Sequence, residues 1–89
     1  MERLFSKDDQ NESLKIAAQY GHFEIIQFIL EIGSVEKSAK EEALQNTIRN
    51  GCTTSTLLLL DSIPSSELNH DTVIKLAVQW DRIEIVINL

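Results

Sequence analysis

Apolar positions along the first third of this chain fall into two helical segments, one after the other. Leu14, Ala17, Ala18 and Gly21 follow the i, i+3, i+4, i+7 pattern that puts side chains on one face of a helix. The two alanines and the glycine on that face let another backbone approach closely. Gly21 ends the pattern, and a second apolar segment, Ile25, Ile26, Phe28, Ile29 and Leu30, runs to Gly33 at a position suited to a helix C-cap. The unit predicted is a helix, a tight turn and a second helix. Helix starts carry capping chemistry: Asp9 lies three residues before Glu12 and Ser38 three before Glu41, the spacing of a capping box. Acidic residues early in these helices also complement the helix dipole.

The unit recurs at a period of 30 residues, aligning Leu14 with Leu44 and Ile74, and Ala17-Ala18 with Thr47-Ile48 and Ala77-Val78. Gly21, Gly51 and Asp81 coincide in the same register, and Phe23-Glu24-Ile25-Ile26 lies over Ile83-Glu84-Ile85-Val86. The run Thr53-Thr54-Ser55-Thr56-Leu57-Leu58-Leu59-Leu60 has the β-branched and apolar content of a strand. Register assigns it to a helix, because its leucines align with Gln27, Phe28, Ile29 and Leu30. The chain is thus expected to be all-α, with three helix-turn-helix repeats in one domain spanning 1–89. The repeats cover approximately 8–37, 38–67 and 68–89, the last truncated because the counterpart of Leu30 would be residue 90. Leu14, Ala17, Ile26, Ile29, Leu44, Leu58, Ile74 and Ala77 are expected to be buried between six helices. A terminal repeat normally carries a polar outer face. Here Ile83, Ile85, Val86, Ile87 and Leu89 are apolar, which predicts self-association through this end or a natural continuation of the chain.

Leu14-Lys15-Ile16-Ala17-Ala18-Gln19-Tyr20-Gly21-His22-Phe23-Glu24-Ile25-Ile26 and its continuation to Gly33 resemble the helix-turn-helix core of an ankyrin repeat, including the Ala-Ala pair, the Gly-His turn and the closing glycine. The second copy, Leu44 to Ile63, keeps the spacing but has Thr47 and Ile48 where the alanines stand. Ankyrin repeats run 33 residues and open on Thr-Pro-Leu-His. The corresponding stretches here are Glu12-Ser13-Leu14-Lys15, Glu42-Ala43-Leu44-Gln45 and Thr72-Val73-Ile74-Lys75, which keep only the apolar anchor. Too few residues join the repeats for the family's β-hairpin, so plain loops are expected and hairpin-tip functions are not. The resemblance implies a short solenoid that binds another protein through a concave surface, lined by the two residues before each turn. In this chain those are Gln19, Tyr20, Arg49, Asn50, Gln79 and Trp80. Tyr, Trp and Arg are the residue types enriched at interface hot spots. Tyr20 lies about 120° from Leu14 on a helical wheel, as Trp80 does from Ile74, so neither has to point into the core. The competing expectation is that both aromatics pad the space between helices.

Composition narrows the partner. Eight basic and 14 acidic residues give a formal charge of −6, which repels phosphate backbones and anionic lipid, and the lysines are scattered rather than clustered. Neither nucleic acid nor a membrane is expected as a partner. The single cysteine, Cys52, excludes an intrachain disulfide, and with no apolar leader at Met1-Glu2-Arg3-Leu4-Phe5 the expected location is intracellular, in the cytoplasm. His22, Cys52 and His70 lack the companions a zinc site requires, and acidic pairs such as Asp8-Asp9 and Glu41-Glu42 sit at helix starts, where they are solvated caps. No nucleophile, base and orienting group can be assembled, so neither catalysis nor a cofactor or metal is expected. The alternative to a binding module is a structural or regulatory segment packing against other domains of a larger protein.

Overall fold

The computed structural model describes residues 6–87. The first helix, α1, spans Lys7–Tyr20 and begins earlier than the expected cap at Asp9. Ser6 is the N-cap: its Oγ accepts the Asp9 N–H at 3.2 Å, while the Asp9 carboxylate accepts the Ser6 N–H at 3.3 Å. A capping box is present, then, with Asp9 as its third helical residue rather than its cap. The helix α3, Lys37–Asn50, also departs from expectation, since Ser38 lies inside it and the cap position is Glu36, which makes no side-chain cap bond. Its start is set by tertiary contact instead, the Glu36 N–H donating to Asn11 Oδ1 of α1 at 3.0 Å. Asn69 caps α5, His70–Gln79, accepting the Thr72 N–H at 3.2 Å.

Each of these helices folds back through a turn of two or three residues into a partner helix: α2 (Phe23–Ile32), α4 (Thr53–Ser62) and α6 (Ile83–Ile87). The expected six helices in three pairs are therefore present, and the ambiguous run 53–62 is helical. The three turns close in the same way. His22, Cys52 and Arg82 each donate a backbone N–H to the carbonyl five residues earlier, on Ala17, Thr47 and Ala77. This geometry demands a left-handed residue just past the helix. Gly21 and Gly51 supply it at φ 71° and 76°, and Asp81 does so at φ 59°. Asp is among the few side chains that tolerate this conformation. Between the pairs, residues 33–36 form a plain loop, residues 65–67 form a single 3₁₀ turn after Pro64, and no strand occurs among the described residues.

The helices touch in a ladder. α1 packs on α3 and α3 on α5, α2 packs on α4 and α4 on α6, and each pair packs on itself. The result is a slab with principal extents of 43 × 27 × 15 Å. Leu14, Ala17, Ile26, Ile29, Leu44 and Ala77 are buried as expected, with Ala18, Ala43, Ile48, Leu59, Val73 and Ile85 beside them. Two expectations need correction. Leu58 is only partly buried against the core, and Ile74 is 38% exposed, because it lies on a face of α5 that no further helix among the described residues covers. Ile85, expected on the exposed end, is instead fully buried; Leu89 lies outside the described residues.

Thr47 and Thr56, both fully buried, bridge α3 and α4. Thr56 Oγ1 lies 2.9 Å from Thr47 Oγ1 and 2.9 Å from the Cys52 carbonyl, and Thr47 donates to the Leu44 carbonyl at 2.9 Å. Both threonine hydroxyls are thereby satisfied within the pair. Thr56→Val keeps the shape, and Thr47 keeps its own acceptor, so the loss expected is that of one hydrogen bond, roughly 1 kcal/mol in urea unfolding. A variant as stable as the parent would show that the hydroxyl pair is not a net stabiliser. The ion pairs Lys7–Glu36, Lys15–Glu42 and Lys37–Glu41 are 3.5–3.9 Å long and mostly exposed, so they contribute little.

Candidate functional site

The six residues singled out in the sequence stand at the C-terminal ends of α1, α3 and α5, and all six are exposed. They share one position because each of these helices ends at the same turn geometry, so the residues one and two places before the left-handed cap emerge at the same level of each pair. Tyr20 is 66% exposed and stacks on His22, with ring centroids 6.1 Å apart and 26° between planes. Trp80 is less open, at 37%, and forms the C-cap of α5, where its N–H donates to the Leu76 carbonyl at 3.0 Å. Both aromatic side chains are thus accessible at equivalent positions of their pairs.

Between the aromatics the polar residues tie neighbouring helices together. Asn50 Nδ2 donates to the Gln19 carbonyl at 2.7 Å, so this side chain caps the end of the preceding helix. Four residues earlier, Asn46 reaches the Lys15 carbonyl in the same way at 3.5 Å, and Arg49 Nη2 donates to Asn46 Oδ1 at 2.7 Å. Asn50 thus ties the end of α3 to the end of α1.

Sequence reasoning missed Arg82. Its Nε donates to the Ile48 carbonyl at 2.9 Å and its Nη2 to the Arg49 carbonyl at 2.8 Å, so its guanidinium closes the C-terminus of α3 from the next turn. A cation there also meets the negative end of the helix dipole. The 30-residue register held the signal: Arg82 aligns with Cys52 and His22, one place after each left-handed residue. A Cβ added to Gly21 would stand 2.9 Å from Cys52 Sγ, and one added to Gly51 would stand 3.0 Å from Arg82 Cζ. The turn residue of each pair therefore sits over the turn glycine of the pair before it. His22 was likewise read only as a turn residue, and its stacking on Tyr20 was not anticipated.

No three or more His, Cys, Asp or Glu side chains gather into a possible metal site among the described residues. No described helix is long and apolar enough to cross a membrane. The surface brings together two aromatic side chains, an arginine and three amides at the ends of three helices, two of which are capped by side chains of the next pair. Compared with protein-family models, with curated proteins and with solved structures, the chain matches none of them.

Proposed function

We propose that this chain is a protein-binding module built from three stacked ankyrin-like repeats without hairpins, and that its partner docks across the ends of α1, α3 and α5. The observation that carries the reading is the shared placement of Gln19, Tyr20, Arg49, Asn50, Gln79 and Trp80, exposed at equivalent positions of successive pairs. The repeated turn bond and the ladder of helix contacts support the stack. In such a stack each repeat is buried only against its neighbours, and function resides on the extended surface that stacking creates. A net charge of −6 favours a partner with a basic complementary surface, through steering of the encounter.

The test is binding by the folded chain, first by capture from lysate to obtain a partner and then by titration with the purified partner. Tyr20→Ala and Trp80→Ala are each expected to weaken binding about 30-fold, equivalent to about 2 kcal/mol, while circular dichroism stays that of the parent. If Trp80→Ala unfolds the chain, or if both variants bind as the parent does, the aromatics are packing residues and this surface is the wrong one.

A further inference from the structure

Aligned positions of the three helix pairs differ in burial in a directional way. Leu14 and Leu44 are buried and Ile74 is not; Ala18 and Ile48 are buried, whereas Val78 is 68% exposed; Ile26 and Thr56 are buried, whereas Val86 is exposed. These positions face the following pair, so the third pair leaves them open. The opposite gradient holds for positions facing the preceding pair. Ser55 and Ile85 are buried, but their counterpart Ile25 is 49% exposed, with Ile16 and Phe28 exposed beside it. The molecule therefore carries two different apolar faces, one at each end of its ladder of helices.

The last face has a shaped feature. Ala77, Val78, Asp81, Arg82, Ile83 and Val86 line a hollow of about 240 Å³. Shifted back by 30 residues these are Thr47, Ile48, Gly51, Cys52, Thr53 and Thr56, the position that Arg82 covers; shifted back by 60 they surround Gly21, where Cys52 Sγ sits. At the two internal junctions the equivalent positions are covered by the turn residue of the following pair.

We propose that the covering unit is the first helix pair of a second copy of this chain, stacked head to tail in the same register. That register brings His22 of one copy into the hollow beside Asp81 of the other, with the Val78 and Gln79 carbonyls placed as the Ile48 and Arg49 carbonyls are for Arg82. It also sets Glu12 against Lys75, the counterpart of the Lys15–Glu42 pair that spans the first junction at 3.5 Å. Ile16, Ile25 and Phe28 then cover Ile74, Val78 and Val86, apolar against apolar. The inference shares the repeat register with the proposed function but uses the ends of the stack instead of its aromatic edge. A contact between unlike faces does not close on itself and generates chains of copies.

The test uses the full chain at about 0.15 M salt, where repulsion between copies is screened beyond about 8 Å. Sedimentation velocity should show a mass that rises with concentration past that of a dimer. Val78→Glu blocks one face and Phe28→Glu the other; both sites are exposed, and circular dichroism should confirm folding. Each variant alone should be monomeric, and an equal mixture should stop at dimer, because one intact face of each kind remains. Lys75→Glu should weaken association about two- to fivefold, and a mixing partner carrying Glu12→Lys should restore it. A parent that stays monomeric near millimolar concentration, a Phe28→Glu variant that still dimerises, or a mixture that remains monomeric would overturn the proposal. Tyr20 and Trp80 are untouched by these substitutions, so partner binding by the monomeric variants tests the proposed function separately.

Discussion

Ile48→Ala is expected to lower the stability by about 3 kcal/mol, the typical cost of truncating a fully buried aliphatic side chain. Ile48 is completely buried on α3, with α5 packed against that helix. Its counterpart in the first repeat is Ala18, also completely buried, on α1. The closeness of α1 and α3 rests on that alanine, whereas the junction of α3 and α5 is built around the larger isoleucine. Alanine at position 48 therefore leaves a void instead of a closer junction, since α5 is already held by its own contacts with α6. Stability for a chain of this length is roughly 4–13 kcal/mol, so the loss is a large share of the total. Ile48→Val removes one methylene and should cost about 1 kcal/mol. Urea unfolding of both variants checks the ordering. A loss below 1 kcal/mol for Ile48→Ala would mean that α5 collapses onto α3 and that the junction is not rigidly specified.

Arg82→Ala should cost about 2 kcal/mol. The guanidinium makes two charge-assisted bonds to α3 carbonyls, each worth up to about 1.5–3 kcal/mol when shielded, and the outer bond to Arg49 is exposed and counts for less. Arg82→Lys should recover less than half of the loss, because an ammonium cannot reproduce a planar fork that holds two carbonyls at once. The effect has a local signature. Faster amide exchange is expected at Gly51 and Cys52, whose N–H groups bond the Ile48 and Thr47 carbonyls beneath the guanidinium. If Arg82→Lys is as stable as the parent, charge at the helix end is sufficient and the bidentate geometry is incidental.

The two substitutions mark different degrees of legibility. Ile48 was not among the residues expected to be buried, although the 30-residue register aligned it with Ala18; the same register and the 3.6-residue periodicity placed the six helices and the turns at Gly21, Gly51 and Asp81, because these depend on spacing and on residue type. The exposed placement of the six candidate residues was legible for a related reason. A residue just before a left-handed cap is held at the rim of its pair wherever the cap recurs, so Gln19, Tyr20, Arg49, Asn50, Gln79 and Trp80 emerge together. Local chemistry was less dependable at helix starts, where Ser6 outcompeted Asp9 and the contact of Glu36 with Asn11 took the place of a cap at Ser38.

The sequence by itself determined the helical class, the three-pair organisation and most of the core, because periodicity and left-handed turns are properties of short segments. Only the tertiary structure decided what one pair does to the next. The reach of Arg82 to α3, the capping of α1 by Asn50, the burial of Ile85 and the exposure of Ile74 and Val78 all depend on a neighbouring pair being present on one side and absent on the other. Equivalent residues in a repeat carry the same local preference, but whether each is covered is a fact about position in the stack, and no local pattern encodes it.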